Sequence, residues 1–333
     1  MPASGKSKSS QYAAVVYNPI KVDLQKLRAS VTAAQIRARW GDTLWFATTE
    51  KDAGQHVTRL AVRQGASVVI AAGGDGTVRA VAEALRDTEV GLAVVPAGTG
   101  NLLARNLQLP LSNLDDSVAL AFSGVDREID LGVATVTTEA GDTNDHVFLV
   151  MAGVGVDAQM LAATRTDLKK QVGWLAYVDA GVRVLPKSKP FRIRYSLDGR
   201  PDRSTHISTI LIANCGLLPG NLQLLPEAQL DDGILDIAIL RPKGVLGWLK
   251  LWRKVSWENG FLRRSEVGRS IIRLTETSDE RDMLTLRGGS IRLVPDEPRE
   301  FELDGDEFGL VKSVYLRADR RALIVRVPAP PAA

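Results

Sequence analysis

The sequence predicts an α/β amino-terminal domain, built as a doubly wound and mostly parallel sheet, followed by a carboxy-terminal antiparallel β-sandwich domain with helical inserts. Three observations carry this. The apolar run 67–72 enters the glycine turn Gly73-Gly74-Asp75-Gly76-Thr77, and a helical pattern (Val78, Val81, Ala82, Leu85) leaves it. A second apolar run, 91–95, enters Pro96-Ala97-Gly98-Thr99-Gly100-Asn101 and precedes Leu102-Leu103-Ala104-Arg105. From about residue 127 the helical spacing gives way to short strand-like runs set among Gly, Pro, Asn and Asp. Strand–turn–helix units build parallel sheets, and closely spaced short strands build antiparallel ones.

The elements follow in order. Ala13-Ala14-Val15-Val16-Tyr17 is a buried first strand, ended by Asn18-Pro19. Residues 23–39 form a helix, with Leu24, Leu27, Val31, Ala34 and Ile36 near its apolar face. Leu44-Trp45-Phe46-Ala47 is a second strand, ending in Thr48-Thr49, and 53–64 is helical. The two strand–glycine–helix units follow, and the alternation runs to about residue 122. The nucleotide-type domain is therefore placed at 11–131 and the β-rich domain at 132–327. Strands are expected at 132–138, 146–151, 191–197, 206–213, 234–240, 270–275, 283–287, 291–294, 299–303 and 322–327. Helical inserts are expected at 157–185 and 242–258. Residues 1–10 are polar, 328–333 are rich in Pro and Ala, and both read as disordered.

The two glycine turns carry the chemistry. A residue without Cβ lets the chain reach positive φ and lets its N–H groups approach an anion. Thr77 reads as the N-cap of the following helix, whose free N–H groups and positive dipole end face the same anion. Asp75 is an odd neighbour for phosphate. It makes sense if Mg2+ lies between them or if the carboxylate orients a hydroxyl. Two such turns after adjacent parallel strands lie together at the carboxyl edge of the sheet, where ligands bind in doubly wound folds. The plain alternative, a tight strand-to-helix turn, does not account for the second turn.

Composition sets the bounds. The chain has 333 residues, a hydrophobic fraction of 45% and a net charge of +3, which suits a two-domain globular protein and not a nucleic-acid binder. The single cysteine, Cys215, excludes an internal disulfide framework and points to an intracellular, reducing location; lying after Ile210-Leu211-Ile212-Ala213, it reads as core rather than nucleophile. Three histidines, His56, His146 and His206, have no zinc-ligand spacing. No secretory signal or membrane-spanning run is visible.

GGDGT followed by PAGTGN resembles the diacylglycerol-kinase-type lipid kinases, the family of bacterial diacylglycerol kinases and sphingosine kinases. Gly153-Val154-Gly155-Val156-Asp157-Ala158 resembles the family's GxGxDA segment. Leu217-Leu218-Pro219-Gly220-Asn221 leads to Pro226-Glu227-Ala228-Gln229-Leu230-Asp231-Asp232-Gly233-Ile234-Leu235-Asp236, which resembles PxAxLDDGxLD. Asp304-Gly305-Asp306 resembles the late DGE motif. GGDGT alone is shared with NAD kinases; the LDDGxLD segment narrows the choice.

The resemblance implies an ATP-dependent lipid kinase, with Mg2+ as cofactor and diacylglycerol or a related lipid as acceptor. Nucleotide contacts then fall to Asn18, Thr48 (or Thr49), Gly73, Gly74, Asp75, Gly76, Thr77, Gly98 and Thr99, with Asp75 counted as catalytic. Asp306 is the general base, standing where the family has glutamate; Glu307 is the neighbour that could replace it. A structural Mg2+ is implied at Asp232 with the backbone carbonyls of Gln229 and Ile234. Asp157 is implied to have a support or nucleotide-proximal role, and the last strand to return to the first domain. The chain departs from the family in places. Asn18-Pro19 continues Ile20-Lys21-Val22 rather than with Ser-Gly, and Lys21 offers a charge there. Val78-Arg79-Ala80 replaces LNE, and Leu102 replaces an aspartate.

A lipid substrate lies in a bilayer, so the expected partner is a membrane surface, met peripherally from the cytoplasmic side. In 245–257 one helical face carries Val245, Trp248, Leu249, Trp252 and Val255, and another carries Lys250, Arg253 and Lys254 with Trp257. Trp257 is the interfacial candidate; Trp248 and Trp252 equally read as core. Oligomeric state stays open, a homodimer included. Two other functions remain: a kinase of a soluble substrate, like the NAD kinases, and a nucleotide-binding regulator without turnover.

Overall fold

The computed structural model describes residues 11–155, 190–218, 222–223, 225–242 and 282–330. The expected helical inserts, the strand at 270–275, Asp157, the tryptophan-rich segment with Trp257, and residues 1–10 lie outside the described residues. The described chain falls into two compact units, 11–129 with 321–330, and 130–320.

In the first unit the elements are β1 (Ala13–Tyr17), α1 (Leu24–Ala38), β2 (Leu44–Ala47), α2 (Gln55–Arg63), β3 (Val68–Gly73), α3 (Asp75–Leu85), β4 (Gly91–Pro96), α4 (Leu102–Asn106) and α5 (Leu114–Ser123). The strands lie parallel in the order β2-β1-β3-β4. Alternate residues Ala13, Val15, Val68, Ile70, Ala72, Ala93 and Val95 pack against Leu27 and Val31 of α1 and Val118, Ala121 and Phe122 of α5. The other face takes α2 and α3: the start of α2 and Val81 of α3 meet at Val16. A sheet covered on both faces explains why its strands read as unbroken apolar runs. Helix starts follow local chemistry. The Asp23 carboxylate accepts from Lys26 N–H at α1, and the Asn113 side chain accepts from Asp115 and Asp116 N–H at α5. Ser30 then donates to Asp115 at 2.6 Å, tying α1 to α5.

The second unit holds β5 (Val125–Thr138), β6 (Thr143–Phe148), β7 (Met151–Val154), β8 (Phe191–Leu197), β9 (Arg203–Ile207), β10 (Thr209–Ala213), β11 (Leu217–Leu218), β12 (Leu222–Gln223), β13 (Leu235–Leu240), β14 (Met283–Gly288), β15 (Ser290–Pro295), β16 (Arg299–Leu303) and most of β17 (Asp306–Val327). β5 itself begins in the first unit. Antiparallel pairing runs β14-β13-β10-β7-β16-β17, and then β17-β15-β8-β9. Phe148, Phe301, Ile193, Ile210, Ile237, Leu293 and Val314 belong to one apolar core.

Several boundaries differ from the sequence reading, each for a local reason. The strand expected at 206–213 is two, because the pairing changes partner at Ser208: β9 bonds to β8, and β10 to β7 and β13. The strand expected at 146–151 is also two, broken where Leu149, Val150 and Met151 donate their N–H groups to one side chain, Asp304, at 2.8, 2.8 and 3.0 Å. The strand expected at 322–327 is the end of the 22-residue β17. Its exposed polar stretch, with Asp319, Arg320 and Arg321, hid this continuity. Beyond Arg321 the chain belongs to the first unit, where Val325 pairs with Leu92 of β4. The last strand thus returns, as the resemblance implied.

The Asp304 contacts make a test of the second unit. Asp304→Ala removes one acceptor from three backbone N–H groups. It is expected to cost about 2–4 kcal/mol of stability, since hydrogen bonds to a charged group are the strong ones. Denaturant unfolding measures it, and a loss near zero would show the three bonds to be replaceable by water.

Candidate active site

The parallel strands of the first unit end in one layer. Tyr17 pairs with Ala47 on one side and Ala72 on the other, and Gly73 pairs with Pro96. The residues that follow stay in register by backbone bonds: Asn18 N–H to Ala72 C=O at 2.9 Å, Thr48 N–H to Tyr17 C=O at 2.8 Å, and Ala97 N–H to Gly73 C=O at 2.8 Å. Asn18, Thr48 and both glycine turns therefore share one sheet edge, as the spacing predicts.

The loop after β1 is shaped by Asn18. Its side-chain oxygen accepts from Ile20 N–H at 3.0 Å, and its carbonyl accepts from Lys21 and Val22 N–H. This fold carries Lys21 over the first glycine turn. A Cβ added at Gly74 would stand 2.6 Å from the Lys21 ammonium. Gly74 is the N-cap of α3, so the ammonium lies against the positive end of a helix. Two positive groups in that position repel each other unless an anion joins them. Lys21 thus supplies a charge where the family pattern has Ser-Gly.

The glycines are needed for closeness, and here the sequence reading is corrected. None of Gly73, Gly74, Gly76, Gly98 or Gly100 has positive φ; Asn101 does, at 48°. A Cβ at Gly98 would stand 2.9 Å from Gly74 Cα, a backbone-to-backbone approach that admits no side chain. Thr77 is also reassigned. The helix begins at Asp75, with Gly74 as cap, so Thr77 is a buried first-turn residue rather than the N-cap. Gly76 and Thr99 are exposed at the turns. Thr48 is buried, and the adjacent Thr49 is exposed, with its hydroxyl accepting from Asp52 N–H.

Asp75 joins the two turns. Its carboxylate accepts from Asn101 N–H at 3.0 Å and Leu102 N–H at 2.6 Å, at the start of α4. Asn101 in turn accepts from Gly98 N–H at 3.0 Å and donates to Gly98 C=O at 2.9 Å. The sequence reading gave Asp75 a role at the phosphate and the structure adds one in the fold. Half-buried and holding two backbone amides, it is also a structural link.

Asp306 belongs to the second unit. The turn between β16 and β17 has φ of 51° at Asp304 and 86° at Gly305, the two positive angles of a tight hairpin turn. Asp306 opens β17 opposite Leu303 and is half-buried, whereas Glu307 is exposed. Asp304, through its three amides, fixes where Asp306 begins.

At the Asp-Gly loop of the second unit, where the resemblance implies Mg2+, the Asp232 side chain already has partners. The Asp232 carboxylate accepts from Ile234 N–H at 3.0 Å and pairs with the Arg287 guanidinium at 2.7 Å. A dication at that carboxylate would sit against a fixed positive charge. No group of three or more acid, histidine or cysteine side chains suited to a metal occurs among the described residues. Two residues around this loop escaped the sequence reading. Buried Asp130 accepts from Gly233 N–H at 2.6 Å, and buried Asn214 donates to the carbonyls of Asp130 and Leu149 at 3.0 Å each. The available signal was a lone acid in the apolar run Ile129-Asp130-Leu131, which must find a partner if buried. Cys215 is buried, and burial, then the charge of Asp304, pushes its thiol well above the ordinary range, so it is not a nucleophile.

Replacing Asp75 tests its linking role. Asp75→Ala is expected to cost about 1–3 kcal/mol, by leaving two amides without their acceptor. Asp75→Asn, which keeps one acceptor oxygen, is expected to cost less. Equal stability of all three proteins in urea would remove the structural role.

Comparison with known proteins fits this geometry. The diacylglycerol kinase catalytic domain matches residues 12–134, and the YegS C-terminal NAD kinase beta sandwich-like domain matches 150–290. Diacylglycerol kinase of Bacillus subtilis (strain 168) is 24% identical, over 94% of this chain and 95% of its own. A Pseudomonas putida protein named "Probable lipid kinase YegS-like" is 33% identical, over 67% of this chain and 70% of its own. A crystal structure of a diacylglycerol kinase from Bacillus anthracis str. Sterne has the same fold, with a TM-score of 0.66 at 20% identity, covering 98% of this chain and 99% of that one. The two glycine turns on one sheet edge, the β-sandwich unit and these matches together place the chain in the family of diacylglycerol-kinase-type, YegS-like lipid kinases.

Proposed function

We propose that this chain transfers the γ-phosphoryl group of ATP to the free hydroxyl of diacylglycerol or a related lipid. The observation that carries the nucleotide half is the cradle of the first unit: two interlocked glycine turns, the positive end of α3, and the Lys21 ammonium above Gly74. Such a cradle suits the phosphates of a nucleoside triphosphate, which arrives as its Mg2+ complex. Family membership supports a lipid acceptor; the relatives are named for diacylglycerol or for lipid without a named member.

In this reading the lipid oxygen attacks the γ-phosphorus, and the bond to the bridging β,γ-oxygen breaks, releasing ADP. The hydroxyl proton passes to Asp306. Lys21 and the turn amides stabilise charge on the phosphates, and Asp75 keeps the two turns in register. In this reading contact with the bilayer is peripheral; among the described residues no helix is long and apolar enough to cross a membrane. The basic and tryptophan-bearing 245–257 segment, Trp257 above all, supports such contact by composition.

The direct test is transfer of labelled phosphate from ATP to a lipid panel in mixed micelles, with NAD as a soluble competitor. Labelled lipid supports the proposal. Label on NAD alone, or nucleotide binding without transfer, overturns it. Lys21→Met is expected to raise KM for ATP about tenfold or more with a smaller change in kcat, if its charge mainly binds the phosphates. An unchanged KM would remove Lys21 from the cradle.

The base has its own test. Asp306→Asn is expected to lower kcat about a hundredfold or more while ATP affinity holds. Asp306→Glu, which has the family's residue, is expected to retain substantial activity. Loss of activity in Glu307→Gln with an active Asp306→Asn would transfer the role to Glu307.

A further inference from the structure

The Asp-Gly loop of the second unit is held by guanidinium groups. Arg287 lies on β14 directly opposite Asp236 on β13, so strand register delivers its head to the loop. Its Nε donates to Asp236 Oδ1 at 2.9 Å, and its Nη2 to Asp232 Oδ2 at 2.7 Å and, more weakly, to the Glu227 carbonyl at 3.5 Å. Arg320 adds a second cation, donating from Nη2 to the Asp232 carbonyl at 3.2 Å and lying beside Gly233. Gly233 itself has a φ of 72°, and its N–H is taken by Asp130.

We propose that Arg287 takes the counter-ion place given to Mg2+ by the family resemblance, so that the Asp-Gly loop of this chain is neutralised by its own guanidinium and folds without a divalent cation. One guanidinium bridges two carboxylates that would otherwise repel each other, which is the task of a bound cation in an acidic loop. Mg2+ requires oxygen ligands at about 2.0–2.1 Å in near-octahedral array. Here one oxygen of Asp232 is bonded to Arg287 and the other to Ile234 N–H, so a metal would have to share this carboxylate with a guanidinium already paired to it. Asp236 Oδ2 has no hydrogen-bond partner, so the single contact with Arg287 is what the buried carboxylate relies on.

The inference concerns the fold of the second unit and stands apart from the proposed reaction, because its test reads stability without nucleotide or lipid. The full chain is melted in chelator and in millimolar Mg2+, as wild type, Arg287→Gln and Asp232→Asn. The wild-type melting temperature is expected to be the same in both buffers. Arg287→Gln is expected to melt several degrees lower in chelator and to recover part of the loss in Mg2+, because the bared carboxylates can then accept a cation. A Mg2+-dependent rise in the wild type that Asp232→Asn abolishes overturns the proposal. So does an Arg287→Gln protein that melts with the wild type in chelator. If Arg287→Gln fails to fold, the wild-type comparison decides the matter together with Arg287→Lys, expected to melt below the wild type in chelator because an ammonium cannot bridge both carboxylates as the guanidinium does.

Discussion

Two strand ends come together at Gly74 and Gly98, closer than any side chain allows, and a single carboxylate holds them there. Asp75 begins one helix and bonds the first amides of the next. That link joins two ordinary strand-to-helix connections into one unit. Each turn alone presents a helix end. Held together, the two turns lie side by side, with Lys21 against the first of them.

The second unit uses the same device at another place. Asp304 gathers three consecutive amides, breaks what would have been one strand into β6 and β7, and sets the turn from which Asp306 begins. In both units an acidic side chain organises backbone. Buried Asp130 belongs with them through its bond to Gly233 N–H. A charged acceptor makes stronger bonds to N–H groups than a neutral one, which is why aspartate recurs at these joints.

Positive charge is likewise built into the chain. Lys21 stands at the cradle where the related pattern has small residues, and Arg287 stands at the Asp-Gly loop. The difference lies in the surroundings: Lys21 faces the positive end of a helix, while Arg287 lies between two carboxylates.

The sequence by itself determined the two-unit class, the β-α order of the first unit, and the positions of Asn18, Thr48 and both glycine turns on one sheet edge. These depend on local chemistry: apolar runs of strand length, helical spacing, and turns of residues without Cβ. Tertiary structure decided the rest. That Asp75 bonds Asn101 and Leu102, residues 26 and 27 positions away, depends on two turns being adjacent in space. That the glycines serve closeness rather than positive φ depends on what faces them across a gap. The continuity of β17 and its pairing with β4 depend on partners far along the chain, as does the pairing of Arg287 with Asp232. Periodicity and turn residues report a chain's conformation with its near neighbours; which distant group meets a side chain is set only when the strands fall into register.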